Sequence, residues 1–212
     1  SDLNKLLADG KWTSDDQVKS EQYGFFYISY YDTNIGTHNV VYTDIENTDN
    51  YDHIYQSDLC GWVGQLGYNK DSIYGANVFT AEGNETLKAA SFYATGKDSQ
   101  YELYVVRQFE DETSLEKMIP VASGKLGNAG YYTVDFNQGI EVDAGERYAV
   151  VLYIITPGSV HPMAIEYAAD EATENVDLDD GESYISANGS KWVSVDTVEK
   201  SNLCIKAFSD NR

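Results

Sequence analysis

Cys60, in the stretch DLCGW, follows His53 by seven positions. A thiol held beside an imidazole is the pair from which a cysteine nucleophile is made. No third motif orients these two, and the GxSxG elbow of serine hydrolases is absent. The remaining histidines, His38 and His161, stand apart in the chain. Carboxylates are so abundant that pairs suited to glycosidic cleavage carry no information. The chain is therefore expected to be non-catalytic.

Oxygen-rich stretches raise calcium chemistry instead. The acidic loop DEATENVDLDDGE fails as an EF-hand. With Asn175 as its first position, the sixth is Asp180 where glycine must make the turn, and the twelfth is Ser186 rather than glutamate. Calcium also binds through scattered loop oxygens. Asp49, Asp52 and Asp58, together with Asn77 and Glu82, are the candidate ligands.

Flat rings ringed by polar groups point to sugars. Trp62 sits between glycines in CGWVG, and Trp192 follows the Asn188-Gly189 turn. Tyr68, Tyr74 and Tyr184 are of the same kind, and Trp62, Trp192, Tyr68 and Tyr184 are taken as carbohydrate-binding candidates. Each also has an ordinary role as a core aromatic at strand spacing.

The bulk numbers limit the partners. Thirty-five acidic residues against 14 basic give a formal charge of −21. Nucleic acid and anionic membranes would be repelled. No apolar run is long enough to span a bilayer. The N-terminus, SDLNKLLADGKW, has no apolar signal region. The two cysteines, Cys60 and Cys204, make no disulfide framework; two free thiols or one bridge remain open.

These residues must be carried by strands. YGFFYISYYD implies a strand at 24–31 that is apolar on both faces, and HNVVYTDI a partner at 38–45. A short helix is expected over 1–7. Residues 46–75 show no period and read as a connector. From residue 76 the chain alternates: ANVFTA, TLKAASFYAT, QYELYVVRQF, YYTVDF, RYAVVLYIIT, HPMAIEYA and NLCIKAFS are strands, and Asn188-Gly189 tips a hairpin. DETSLEKMIPVASGKLGNAG reads as a long connection. Short strands at this spacing predict an all-β sandwich of jelly-roll type, with minimal helix.

GFFYISYYD, DNYDHIYQSD, ANVFTAEGNETLKAASFYA, GESYISANGSKW and NLCIKAF, in that order, resemble papain-type cell-surface cysteine proteases of Gram-positive anaerobes and some archaea. In that family a lectin-like sandwich follows the papain-like domain. The resemblance implies three parts. Residues 1–45 resemble the end of a papain-like domain, 46–75 connect, and 76–212 form the lectin-like sandwich. The Asn-Ser-Trp-Gly motif expected before the Gly-aromatic-aromatic strand is missing, so no catalytic residue carries over. The resemblance also implies a bound calcium, an upstream papain-like domain as partner, and an extracellular location on a bacterial or archaeal cell surface. The expected function is a non-catalytic module for carbohydrate or cell-wall polymer. The alternative is a docking spacer that orients the protease. The opening strand is expected to be adopted by the sandwich, with 38–45 alongside.

Overall fold

The computed structural model describes residues 41–43, 47, 49–179, 181–195 and 200–212. The chain divides into two compact units, Ser1–Glu46 and Asn47–Arg212, and the account below concerns the second. The expected helix at 1–7 and strand at 24–31 lie outside the described residues, as does most of 38–45. Residues 41–43 carry no strand.

Thirteen strands are present among the described residues: β1 His53–Tyr55, β2 Gly64–Leu66, β3 Ser72–Thr80, β4 Glu85–Ala94, β5 Ser99–Val106, β6 Ile119–Leu126, β7 Gly130–Val142, β8 Arg147–Ile155, β9 Met163–Glu166, β10 Ser183–Ser186, β11 Val193–Ser194, β12 Asn202–Leu203 and β13 Ile205–Asn211. All pairings are antiparallel. One sheet runs β1-β13-β4-β7, and a second runs β11-β10-β3-β8-β5-β6. A small third sheet, β12-β9-β2, contributes Met163, Ile165 and Leu203 to the same core. The all-β sandwich is as the alternation implied.

The core follows from that alternation. Leu87 and Phe92 of β4 and Ile205 and Ala207 of β13 point inward. They meet Leu103 and Val105 of β5 and Tyr148, Val150, Leu152 and Ile154 of β8. Each large apolar side chain removed from water in this way contributes about 1.5–3 kcal/mol. β8 is apolar on both faces because both are covered. Ala149 and Val151 belong to a second cluster on the far side, with Ala76, Val78, Val106, Phe109 and Leu115.

That second cluster exists because the segment after β5 folds back as a roof. A 3-10 turn at Glu112–Glu116 is capped by Asp111, whose side chain accepts from Thr113 N–H at 2.9 Å. It drives Leu115 onto the outer face of the six-stranded sheet. The Arg147 guanidinium lies 4.9 Å from the Phe109 ring centre and covers the roof's edge.

Three departures from the sequence reading have physical causes. The stretch 46–75 holds β1, β2 and the start of β3. Strands of three residues are too short to show a period. The long connection at 111–130 contains β6, whose Pro120 is tolerated because β6 is the sheet's edge and its outer side needs no donor. The hairpin at Asn188-Gly189 does form, but its loop is longer than two residues, since Ile185 pairs Val193. Asn188 Oδ1 accepts from Ser190 and Lys191 N–H, which builds the wider turn.

Candidate functional site

On the outer face of the six-stranded sheet, the side left open by the roof, one row of residues runs straight across five strands. Ser186 of β10 pairs Tyr74 of β3, Tyr74 pairs Tyr153 of β8, Tyr153 pairs Glu102 of β5, and Glu102 pairs Ser123 of β6. In the adjacent row Gln100 pairs Lys125. Alternation keeps these side chains on one face while Leu103 and Ile154 between them enter the core.

The row changes character along its length. Tyr74 and Tyr153 stack at 4.2 Å and 22°. Trp192 meets Tyr74 edge-on at 6.3 Å, and its indole N–H is buried without a hydrogen-bond partner. Beyond Tyr153 the row becomes polar, and a depression of about 260 Å³ opens, lined by Tyr153, Ile155, Gln100, Glu102, Ser123 and Lys125 among others. Glu102 is steadied by Tyr104, whose hydroxyl donates to Oε2. Burial, and then the carboxylate of Glu102, push the Tyr104 hydroxyl's pKa up. A fixed aromatic wall beside a few placed polar groups is the build of a small-ligand site.

The aromatic candidates separate accordingly. Trp192 and Tyr184 lie on this face together with Tyr74; Tyr184 packs beside Phe109 under the roof and donates to Glu182 at 2.8 Å. Trp62 lies elsewhere, against Tyr93 at 5.7 Å, and Tyr93 continues to Tyr131 at 5.0 Å on the four-stranded sheet. Tyr68 is part-exposed between β2 and β3. Tyr153, Glu102, Gln100 and Lys125 were not singled out by sequence. Their signal was the alternation of Glu102 and Tyr104 against Leu103 and Val105.

The five proposed calcium ligands are not brought together. Asp52 accepts from the backbone and side chain of Asn211 at 2.8 and 3.0 Å. Asn77 is buried between the sheets. It donates to the carbonyls of Leu203 and Ile205 at 2.9 and 2.8 Å and accepts from the Ser183 hydroxyl at 2.7 Å. The exposed Glu82 lies 3.4 Å from His53 Nδ1, and Asp49 sits in an exposed turn. Asp58 is buried, 3.0 Å from Lys206 Nζ in an ion pair without hydrogen-bond alignment. Burial raises the Asp58 pKa and Lys206 opposes the rise. Among the described residues, no three acidic, cysteine or histidine side chains are arranged to hold a metal.

Oxygens do converge beside Asp58. The Asn202 amide nitrogen faces the carbonyls of Ser57 and Asp177 at 2.8 and 2.9 Å and Glu166 Oε2 at 3.0 Å. An –NH2 has two hydrogens for these three acceptors. Glu166 is fully buried and also accepts from Cys60 N–H.

The Cys60–His53 pairing is not formed as a catalytic unit. His53 is held in β1 by Asn211 at 3.0 Å, while Cys60 belongs to the loop anchored on Glu166. Both cysteines are free thiols. Their pKa values are raised, by burial above all for Cys204, and by desolvation followed by Glu166 for Cys60. Raised values disfavour the thiolate that a nucleophile requires. Among the described residues, no helix is long and apolar enough to cross a membrane.

Comparison with known proteins agrees with this architecture. The family described as a lectin-like domain matches residues 54–209. The solved structure of the clostridial cysteine protease Cwp84 after propeptide cleavage is similar with a TM-score of 0.63 and 24% identity, over 76% of this chain and 40% of that one. A structure of the cysteine protease and lectin-like domains of Cwp84, a surface-layer-associated protein of Clostridium difficile, matches with a TM-score of 0.59 and 21% identity, over 76% and 36% of the two chains. The present chain thus spans well under half of these structures. No curated protein matches it.

Proposed function

The chain belongs to the lectin-like domain family, and on that premise we propose that it is a non-catalytic binding module for cell-wall carbohydrate, working beside a papain-type cysteine protease at a cell surface. The observation that carries this reading is the row from Trp192 and Tyr74 through Tyr153 to Glu102 and Ser123. It places a rigid aromatic wall beside an open polar depression. A sugar ring has one apolar C–H face and an equatorial rim of hydroxyls. The wall takes the face, and Gln100, Glu102, Ser123 and Lys125 take the rim.

One ring binds weakly. About twelve heavy atoms at about −0.3 kcal/mol each give about −4 kcal/mol, a Kd near 1 mM. Avidity on a polymer that repeats the ring raises retention by orders of magnitude. The test is therefore sedimentation with purified wall polymer. Wild-type chain should co-sediment, and Tyr153→Ala should lose retention at unchanged melting temperature. A chain that never sediments with any wall fraction would refute the module.

A second reading, the docking spacer, has its own observation. The outer face of the four-stranded sheet exposes Trp62, Tyr131 and Ile54. Tyr51 lies across it, 4.9 Å from Phe208, and donates to Asp135 at 3.1 Å. A protease domain seated there would be released by Trp62→Ala without loss of wall binding.

We infer calcium beside Asp58, one of the five candidate ligands, with partners other than Asp49, Asp52, Asn77 and Glu82. Carbonyl and carboxylate oxygens are the donors calcium takes. Ser57 and Asp177 would supply carbonyls, Glu166 a carboxylate, and Asn202 its side-chain oxygen after a half-turn of the amide. Asp58 and Glu166 outnumber the Lys206 ammonium, which leaves room for positive charge. Calcium there would fix the loops 57–60 and 177–179 against β12. EDTA should lower the melting temperature and added calcium restore it. An unchanged curve would remove the metal.

A further inference from the structure

We propose that the depression beside Tyr153 selects a neutral pyranose, bridged through two neighbouring hydroxyls between Glu102 and Lys125; this rests on the carbohydrate reading above. Gln100 pairs Lys125 and Glu102 pairs Ser123, so Glu102 and Lys125 are diagonal neighbours on one face. Diagonal partners lie within reach of long side chains. Yet none of the ion pairs among the described residues joins them. Glu102 instead takes the Tyr104 hydroxyl on Oε2, which orients the carboxylate and leaves Oε1 with capacity to accept.

The depression therefore offers an acceptor-only group and a donor-only group across a gap. A sugar hydroxyl both donates and accepts. One hydroxyl donates to Glu102, its neighbour accepts from Lys125, and Gln100 and Ser123 complete the rim. The gap's local charge sums to zero. A uronic acid would meet Glu102 and the field of a chain carrying −21. A free amino sugar would meet Lys125. A neutral ring satisfies both groups without setting a like charge against either.

Size points the same way. About 260 Å³ is smaller than the ~300–1,000 Å³ of typical ligand pockets, and suits one ring rather than an engulfed oligosaccharide. Tyr153 is backed by Tyr74, and Tyr74 by Trp192, so the wall resists tilting.

The experiment titrates the full chain, observed by amide NMR, with D-glucose, D-galactose, D-mannose, N-acetyl-D-glucosamine, D-glucuronic acid and D-glucosamine. At least one neutral sugar should bind with a Kd of about 1 mM, and the charged sugars at least tenfold more weakly. Glu102→Ala and Lys125→Met should each weaken the neutral sugar at least tenfold with unchanged melting temperature. Tighter binding of glucuronic acid or glucosamine, silence with all four neutral sugars, or variants within twofold of wild type would overturn the proposal. Sedimentation with wall polymer on the same proteins separates the two levels. Retention of wild type and both variants defeats the neutral-ring site and leaves the module standing, whereas no retention of wild type defeats both.

Discussion

Replacing Asn77 by alanine removes one amide that ties four strands together. Its nitrogen serves the carbonyls of Leu203 and Ile205, and its oxygen receives the Ser183 hydroxyl, all in a fully buried setting. Alanine leaves two carbonyls and a hydroxyl short of a partner. Each such loss costs about 1–3 kcal/mol. Carbonyls keep a second lone pair for other donors, so the lower half of the range applies and the total is about 3–6 kcal/mol. That is a large part of the ~5–15 kcal/mol that holds a typical fold together. At about 2–4 °C per kcal/mol for a chain of this size, the melting temperature should fall by at least about 6 °C. Asn77→Asp sharpens the test. The aspartate keeps the Ser183 bond, but its second oxygen faces two carbonyls and carries charge. At neutral pH it should be at least as damaging as alanine. Burial raises the pKa of such a carboxyl, and as pH falls the protonated form regains a donor, so part of the loss should return. Urea titrations of both variants at pH 7 and pH 4.5 measure this. Asn77→Ala within about 1 kcal/mol of wild type, or Asn77→Asp rescued by calcium rather than by acid, would refute the reasoning; the second result would make Asn77 a metal ligand.

His53 has a raised pKa, chiefly through Asn211, with Glu85, Glu82 and Asp52 adding to it against desolvation. Its stabilisation is complete below its unfolded value near 6.5 and fades as pH climbs through the higher folded value. His53→Gln should flatten melting temperature against pH across that window. The buried Glu85 shifts the other way: burial raises its pKa, but bonds from Ser209, Gly83 and Tyr55 outweigh that and lower it. Its contribution is held above the usual glutamate range and lost as pH falls through the depressed value, so Glu85→Gln should soften acid unfolding. Gly67→Ala places a methyl 2.6 Å from the His161 Cα and 2.7 Å from the Val160 carbonyl, backbone atoms that cannot swing aside. It should destabilise by at least about 1–3 kcal/mol, whereas Gly127→Ala, with nothing within 4 Å, should stay within about 0.5 kcal/mol; calorimetry on the pair checks the contrast.

Strands long enough to alternate were legible in the sequence, and so was the sandwich they imply. β4, β5 and β8 could be read because inward and outward residues differ in kind. β1, β2 and β12 could not, because two or three residues carry no period. β6 was hidden by Pro120 and Gly124, which look like loop residues and are accommodated at an edge. The candidate site was legible only in part. Trp192 and Tyr74 stand out by type. Tyr153 was masked inside RYAVVLYIIT, where an outward tyrosine resembles its core neighbours. Glu102 and Lys125 lie 23 positions apart, and only the β5–β6 register makes them neighbours. Likewise Ser57, Glu166, Asp177 and Asn202 meet through chain carbonyls and long-range pairing, which no local motif records.

β1 and β13, the first and last strands of the sandwich, are antiparallel neighbours, with His53 opposite Ser209 and Tyr55 opposite Ala207. A pull applied between residue 52 and residue 211 therefore bears on one end of a three-residue ladder. The load meets its hydrogen bonds one after another, as in opening a zipper, instead of shearing them all at once. Under tension β1 would peel away at low force while the β13–β4 seam stays shut. Such a strand acts as a fuse, lengthening the chain by a few residues before the rest of the sandwich feels the strain.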